Sequence, residues 1–396
     1  MAHHRVTLLM AQLVVVLWAA NMVQLGLRYS WGIALPNAAP ELGLNGLQAG
    51  AVASAFYIGY VVTGIPAGLL VDTLGSKRAT TLSLISVGLV SFAIASSQSF
   101  TQIFAAFLAA GILAGPIFPS SLKTLSEALS TGSRGTGVGA LETVSPAAMI
   151  LAATVFPTII EGFGWRQVYV ALGIAALIVC LAYNLKVPAT SNISAGEKKR
   201  VSLGSTLANP QLIWAVAVRL GGMWGIIGVS AWFYYFAITL VGALSAQILY
   251  LILASAAVVG QLVGGVAADK YGRLGVAAAG MACFGVAMAL FALLRGVLVA
   301  YILAPLIGFS AFFWKSGLDT HILESAPHHQ RGSAAGFMNT VSQLGSLIAP
   351  AAVGYAVDMA GALSPIPILI LAVGPIAAAL PLIAITLINS GRMEAY

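Results

Sequence analysis

Five ionisable side chains sit where the surrounding sequence is otherwise apolar: Arg28, Arg219, Lys315, Asp319 and Glu142. At bilayer depth an ionised group costs at least about 2.5–3.5 kcal/mol on insertion scales, so each of the five marks a candidate functional site. Their chemistries differ. Arg28 in GLRYSWG and Arg219 in AVAVRLGG carry planar guanidinium forks that fit a carboxylate through two hydrogen bonds, with phosphate as the second fit. Both also have structural readings, Arg28 as half of an internal salt bridge at a gate and Arg219 as a residue that snorkels to lipid headgroups. Lys315 and Asp319 stand four apart, the spacing at which a helix pairs opposite charges, so Lys315 is either an anion ligand or the partner of Asp319. Glu142 reads first as a hydrogen-bonding group near an inner gate and second as a proton carrier. Tyr29 and Trp314 adjoin Arg28 and Lys315 in sequence and Tyr57 lies in the next apolar run; the three could wall an organic body around a carboxylate.

The elements that must position these groups follow from composition. Of 396 residues, 60% are hydrophobic and 7% charged, and the mean hydropathy is +0.97; a soluble domain carries about 25% charged residues. At roughly 20 apolar residues per span the length accommodates about twelve helices and leaves no room for a sizeable water-exposed domain. Apolar segments fall near 10–36, 46–71, 79–97, 101–122, 137–160 and 166–186, and again near 211–240, 245–268, 274–294, 297–320, 334–357 and 364–389. The first is too long for a signal peptide and reads as a permanent span. Between the two sets lies 187–210, with Glu197, Lys198, Lys199 and Arg200, which reads as a cytoplasmic linker. The expected organisation is a six-helix bundle over 1–186, that linker, and a second bundle over 211–396.

Several function classes are excluded at this point. The net charge is +7, but the basic residues are scattered singly rather than gathered on one face, which argues against nucleic acid. Cys180 and Cys283 both lie in apolar runs, and His3, His4, His321, His328 and His329 fall in the tail or the loop after the tenth span, so neither a disulfide framework nor a metal cluster is expected. No nucleophile with its base and no phosphate-cradling loop is present, so the chain reads as no enzyme, with no cofactor. Thirteen of the basic residues map to one side of the membrane and only Arg166 and Arg295 to the other, which puts both termini in the cytoplasm, most simply across the plasma (inner) membrane.

The two sets of six also repeat. Gly68, Asp72 and Gly75 recur as Gly265, Asp269 and Gly272, and Arg134-Gly135 recurs as Arg331-Gly332, all at an offset of 197 residues. Glu142 takes Asn339 as its counterpart at the same offset. One offset shared by separate loops points to duplicated halves, the plan of a transporter whose site lies at the midplane between them.

On these residues the chain resembles the major facilitator superfamily. GLLVDTLGSKR (Gly68 to Arg78) is similar to that superfamily's G-x-x-x-D-R-x-G-x-[RK]-[RK] loop, with Thr73 in the usual Arg place, and GGVAADKYGR is its repeat. GLRYSWGIALP, SAFYIGYVVTGIPAGLLVD, GPIFPSS and GFSAFFWKSGLDTHILESAP with RGSAAGFMNTVSQLG resemble the anion:cation symporter branch, which includes sialin, vesicular glutamate transporters and bacterial sugar-acid transporters. The resemblance implies an all-α membrane fold of twelve helices in two pseudo-symmetric bundles. It implies a central cavity lined by spans 1, 4, 7 and 10, made positive by Arg28, Arg219 and Lys315. It also implies a small organic anion as substrate, bound through Arg28 and Arg219, with Asp72, Asp269, Arg134 and Arg331 in gating loops and Glu142, Asp319 and Asn339 in coupling or gating. A monomer is expected.

The proton-coupled members of that branch carry acids where this chain has Leu27 and Ala114. The departure suggests a facilitator, an exchanger using a counter-anion, or a proton site moved to Glu142. An inward-moving anion meets about 2.3 kcal/mol per charge at 100 mV, so its uptake needs a coupled ion, exchange or a steep gradient. The competing readings are a proton-coupled exporter of amphipathic or cationic compounds, which calls for a dominant deep carboxylate, and a transporter-like receptor that binds without translocating.

Overall fold

The computed structural model describes residues 2–128, 141–187, 210–325 and 331–393. Every regular element among them is an α-helix: α1 (Ala2–Glu41), α2 (Gly46–Leu74), α3 (Ser76–Ala95), α4 (Phe100–Ala114), α5 (Ile117–Ala128), α6 (Val144–Phe163), α7 (Arg166–Lys186), α8 (Pro210–Val241), α9 (Ala243–Tyr271), α10 (Arg273–Leu294), α11 (Val297–Phe313), α12 (Lys315–Ser325), α13 (Arg331–Ala360) and α14 (Ile366–Met393). They form twelve segments long and apolar enough to cross a membrane, because α4 with α5 and α11 with α12 each make one broken span, Phe100–Leu125 and Val297–Ser325. Helices are the solution here because each satisfies its own backbone hydrogen bonds where no water can. The outward side chains follow the same logic: Leu89, Leu181, Leu185, Leu262, Val266 and Leu380 are well exposed, as expected where lipid rather than water is the solvent.

The chain divides into two compact units, one comprising Met1–Gly43 and Ala55–Glu197, the other Leu44–Ser54 and Lys198–Tyr396. In the first, α3 packs along α7 and α1 along α6 and α7. In the second, α9 packs on α11, α10 on α14, and α8 on α13 and α14. Leu44–Ser54, with the first nine residues of the second span, thus cluster with the second unit, a division finer than the boundaries at 186 and 211. There Asp358 of α13 accepts the backbone N–H groups of Gly46 at 2.6 Å and Leu47 at 2.8 Å, a carboxylate placed on a helix N-terminus where it opposes the dipole.

The duplication reappears as geometry. Gly75 and Gly272 close α2 and α9 with φ of 80° and 94°, a left-handed conformation that only glycine adopts without strain. Inside each unit a glycine lets two backbones touch. A Cβ on Gly111 would collide with the Phe56 carbonyl, and one on Gly308 would collide with the Leu253 carbonyl; all four positions keep the offset of 197. Small residues at such crossings permit the close packing that holds helices together in lipid. Gly308→Val should therefore destabilise the second unit by about 1–3 kcal/mol through forced separation of α9 and α11. Gly265→Ala, whose added methyl would meet nothing nearer than 3.7 Å, should melt with the parent protein. Thermal unfolding of the two variants in detergent checks this, and equal midpoints would refute it.

Helix α12 runs on to Ser325, which corrects one expectation: His321 is helical and half-buried rather than part of a loop. His328 and His329 lie outside the described residues.

Candidate functional site

In the first unit α1 presents Asn21, Gln24 and Arg28, spaced three and four apart and so on one helix face. Asn21 is fully buried; its Nδ2 donates to Ser121 Oγ and to the Leu17 carbonyl, each at 2.8 Å. Gln24 Nε2 donates to Asn21 Oδ1 at 3.1 Å. One turn further, Arg28 Nε donates to Tyr57 Oη at 2.8 Å. Its guanidinium carbon lies 4.5 Å from the Tyr57 ring centroid and 5.9 Å from that of Tyr60, distances at which ring faces stabilise a cation. Tyr29 turns instead toward α6, where its hydroxyl lies 3.0 Å from Ser145 Oγ. Arg28 and Tyr57 therefore come together, with Tyr60 as an added neighbour, while Tyr29 is engaged elsewhere.

The second unit carries a denser charge cluster. Arg219 of α8 meets Asp319 of α12 side-on: Nε donates to Oδ1 at 2.5 Å and Nη2 to Oδ2 at 3.3 Å, and Nη1 donates to Ser342 Oγ on α13. Lys315 Nζ lies 3.5 Å from Asp319 Oδ2, so the i,i+4 pairing is present and the two bases share one carboxylate. Side-chain exposure is only 5% for Arg219, 16% for Lys315 and 19% for Asp319, which distinguishes the cluster from a screened surface pair and rules out snorkelling for Arg219 in this structure. The break between α11 and α12 puts Lys315 at the start of a helix, where the backbone dipole adds to the positive field. Trp314, at the break, is fully buried. Its ring lies against Gly222 of α8 and its backbone and Cβ against Gly280 of α10, and its indole N–H has no hydrogen-bond acceptor among the described residues.

The remaining candidates are placed as follows. Glu142 is half-buried just ahead of α6. Its neighbour Thr143 accepts the Trp18 indole N–H at 3.4 Å. Asn339 is half-buried on α13, one turn before Ser342. Asp72 pairs with Lys123 of α5 at 3.0 Å, whereas Asp269 is exposed near the end of α9. Arg134 lies outside the described residues, as does the side chain of Arg331, the first residue of α13. Among the described residues no group of three or more His, Cys, Asp or Glu could hold a metal ion. Sequence reasoning did not select Asn21, Gln24, Ser121 or Ser342. The polar spacing in the first span could have drawn attention to Asn21 and Gln24. Ser121 and Ser342, ordinary serines within their spans, gave no comparable sign.

Comparison with known proteins adds the following. The Major Facilitator Superfamily profile matches residues 17–350. The probable galactarate/D-glucarate transporter GudP of Escherichia coli (strain K12) is 25% identical, covering 88% of this chain and 87% of its own. The cis,cis-muconate transport protein of Acinetobacter baylyi is 23% identical, covering 80% of each. Among solved structures, the nucleoside transporter NupG superposes with a TM-score of 0.76 at 17% identity, over 94% of this chain and 99% of that one, a likeness of fold.

Proposed function

The chain belongs to the Major Facilitator Superfamily, a multi-pass integral membrane transporter and no enzyme, and from that premise we propose that it moves small organic anions, carboxylates foremost, by alternating access. The observation that carries the reading is the charge balance of the buried cluster in the second unit: Arg219 and Lys315 around the single carboxylate of Asp319 leave these three groups at +1. Burying net positive charge is costly unless an anion offsets it for part of the cycle. Arg28, steadied by Tyr57 and flanked by Tyr60, is the second anion ligand, with a guanidinium fork oriented by a phenol hydroxyl. The named substrates of the relatives, galactarate or D-glucarate and cis,cis-muconate, are dicarboxylates, which supports an organic acid as the cargo. The termini are assigned to the cytoplasm on the distribution of Lys and Arg.

Purified protein should be stabilised against heat by D-glucarate, cis,cis-muconate or a related mono- or dicarboxylate, and liposomes containing it should exchange the same labelled anion in counterflow. A protein that ignores carboxylates, sugar acids and phosphate but carries an amphipathic cation such as tetraphenylphosphonium would be an exporter, and this reading would be wrong.

A further inference from the structure

We infer that Asp319 is the proton-carrying residue of this transporter, so that coupling resides in the second unit and the proton changes places with the substrate carboxylate on Arg219 and Lys315. The inference rests on the anion-transport reading above and adds the coupled ion.

The argument starts from what Arg219 has available. Its Nε/Nη2 edge is filled by the two oxygens of Asp319, and Nη1 is taken by Ser342. A substrate carboxylate gains the two-bond fork only when Asp319 releases that edge. An ionised Asp319 set aside in the bilayer interior, away from its two bases, would be a buried charge without compensation. A proton removes that obstacle. When the carboxylate of Asp319 takes one proton from water on the accessible side, its −1 charge is lost and the substrate carboxylate supplies −1 in its place. The cluster stands at +1 before and after the exchange. Release on the other side reverses both steps: the proton leaves Asp319 to water, and the regenerated carboxylate returns to Arg219 as the substrate departs. One proton moves with each substrate bound, in the same direction, so a monocarboxylate crosses without net charge and a dicarboxylate with one negative charge.

The charges around Asp319 are those of its own cluster. Arg219 and Lys315 are the charged groups that face it among the described residues. Helix α11 contributes no charge, and Arg219 is the only charge on α8. On α10, Arg273 is paired with Glu324. On α9, Asp269 and Lys270 are exposed at the helix end. On α13, Arg331 and Asp358 belong to opposite ends of the helix, and Asp358 is bonded to Gly46 and Leu47. His321, two positions along α12, lies on the other face of that helix. The acid positions of the first unit hold Leu27 and Ala114, so a carboxylate in the second unit is where a proton can be exchanged against two bases.

The test uses the full chain in liposomes with labelled D-glucarate, cis,cis-muconate and D-gluconate as probes. For whichever probe the parent protein exchanges in counterflow, raising the interior pH one unit above the exterior should accelerate uptake up to about tenfold, the ratio of proton activities. A pH dye trapped inside should report one proton entering per anion. Normalised to its own counterflow, which needs binding and reorientation but no net proton movement, Asp319→Asn should show neither the acceleration nor the proton signal. Asp319→Glu should retain both. Should Asp319→Asn not fold, the double variant Lys315→Gln/Asp319→Asn, which keeps the cluster at +1, takes its place and should lose the proton signal. Net uptake by the parent protein without proton entry, or a pH-driven uptake that survives in Asp319→Asn, overturns the inference and leaves anion transport standing. Absence of counterflow for every carboxylate defeats the transport reading itself and the inference with it.

Discussion

Replacing Arg28 by alanine is expected to weaken anion binding by about 2–5 kcal/mol, roughly thirtyfold to several thousandfold in half-saturating concentration, the usual cost of truncating one partner of a buried, hydrogen-bonded charge pair. The loss should exceed that of its neighbours because Arg28 contributes a full charge and a fork, while Tyr57 contributes orientation through one hydrogen bond at 2.8 Å. Arg28→Lys keeps the charge but not the planar fork or the Nε–H donated to Tyr57, so it should recover only part of the affinity. Tyr57→Phe removes the acceptor that fixes the guanidinium and should fall between Arg28→Lys and the parent protein. Counterflow of the labelled anion at several concentrations measures the series. If Arg28→Ala transports within threefold of the parent protein, Arg28 is not a substrate ligand and its tyrosine contacts serve packing alone.

The second large effect belongs to the cluster on α8 and α12, and there the two bases should behave unequally. Arg219→Gln is expected to destabilise the second unit by about 3–5 kcal/mol, as breaking a buried ion pair does. It withdraws two contacts to Asp319 and the bond to Ser342 at once. Lys315→Gln withdraws the longer of the two ion-pair approaches, 3.5 Å, from a carboxylate that Arg219 still holds, and should cost clearly less than Arg219→Gln. Thermal unfolding of both variants in the same detergent makes the comparison. Equal losses, or a parent-like midpoint for Arg219→Gln, would mean that the Arg219–Asp319 bond does not hold the second unit together.

How far the amino-acid order foretells this arrangement differs from element to element. The twelve spans are legible because apolar runs of bilayer length admit almost no other structure. The duplication is legible because Gly75 and Gly272 must both adopt positive φ, leaving the same residue at the same offset. The break in the fourth span is announced by Gly115-Pro116; that in the tenth is not, since Phe313-Trp314-Lys315 contains neither glycine nor proline and the helix yields at a buried tryptophan. Within the site, the Lys315–Asp319 pair could be read from its spacing of four. The dominant partner of Asp319 could not, because Arg219 is a hundred residues away and reaches it only through the packing of α8 on α12. Asp72 illustrates the same limit. An acid in a turn suggests a cationic partner, but nothing local identifies Lys123 as the one.

Trp314 has a consequence for watching the molecule at work. Indole emission shifts in colour and intensity with the local electric field and with hydrogen bonding at the ring nitrogen, and this ring adjoins Lys315 in sequence while its own N–H is unsatisfied. In a variant whose other six tryptophans are replaced by phenylalanine, a rearrangement of charge at the start of α12 should therefore change the ultraviolet fluorescence of Trp314 and let the kinetics of the cycle be followed optically without an attached dye.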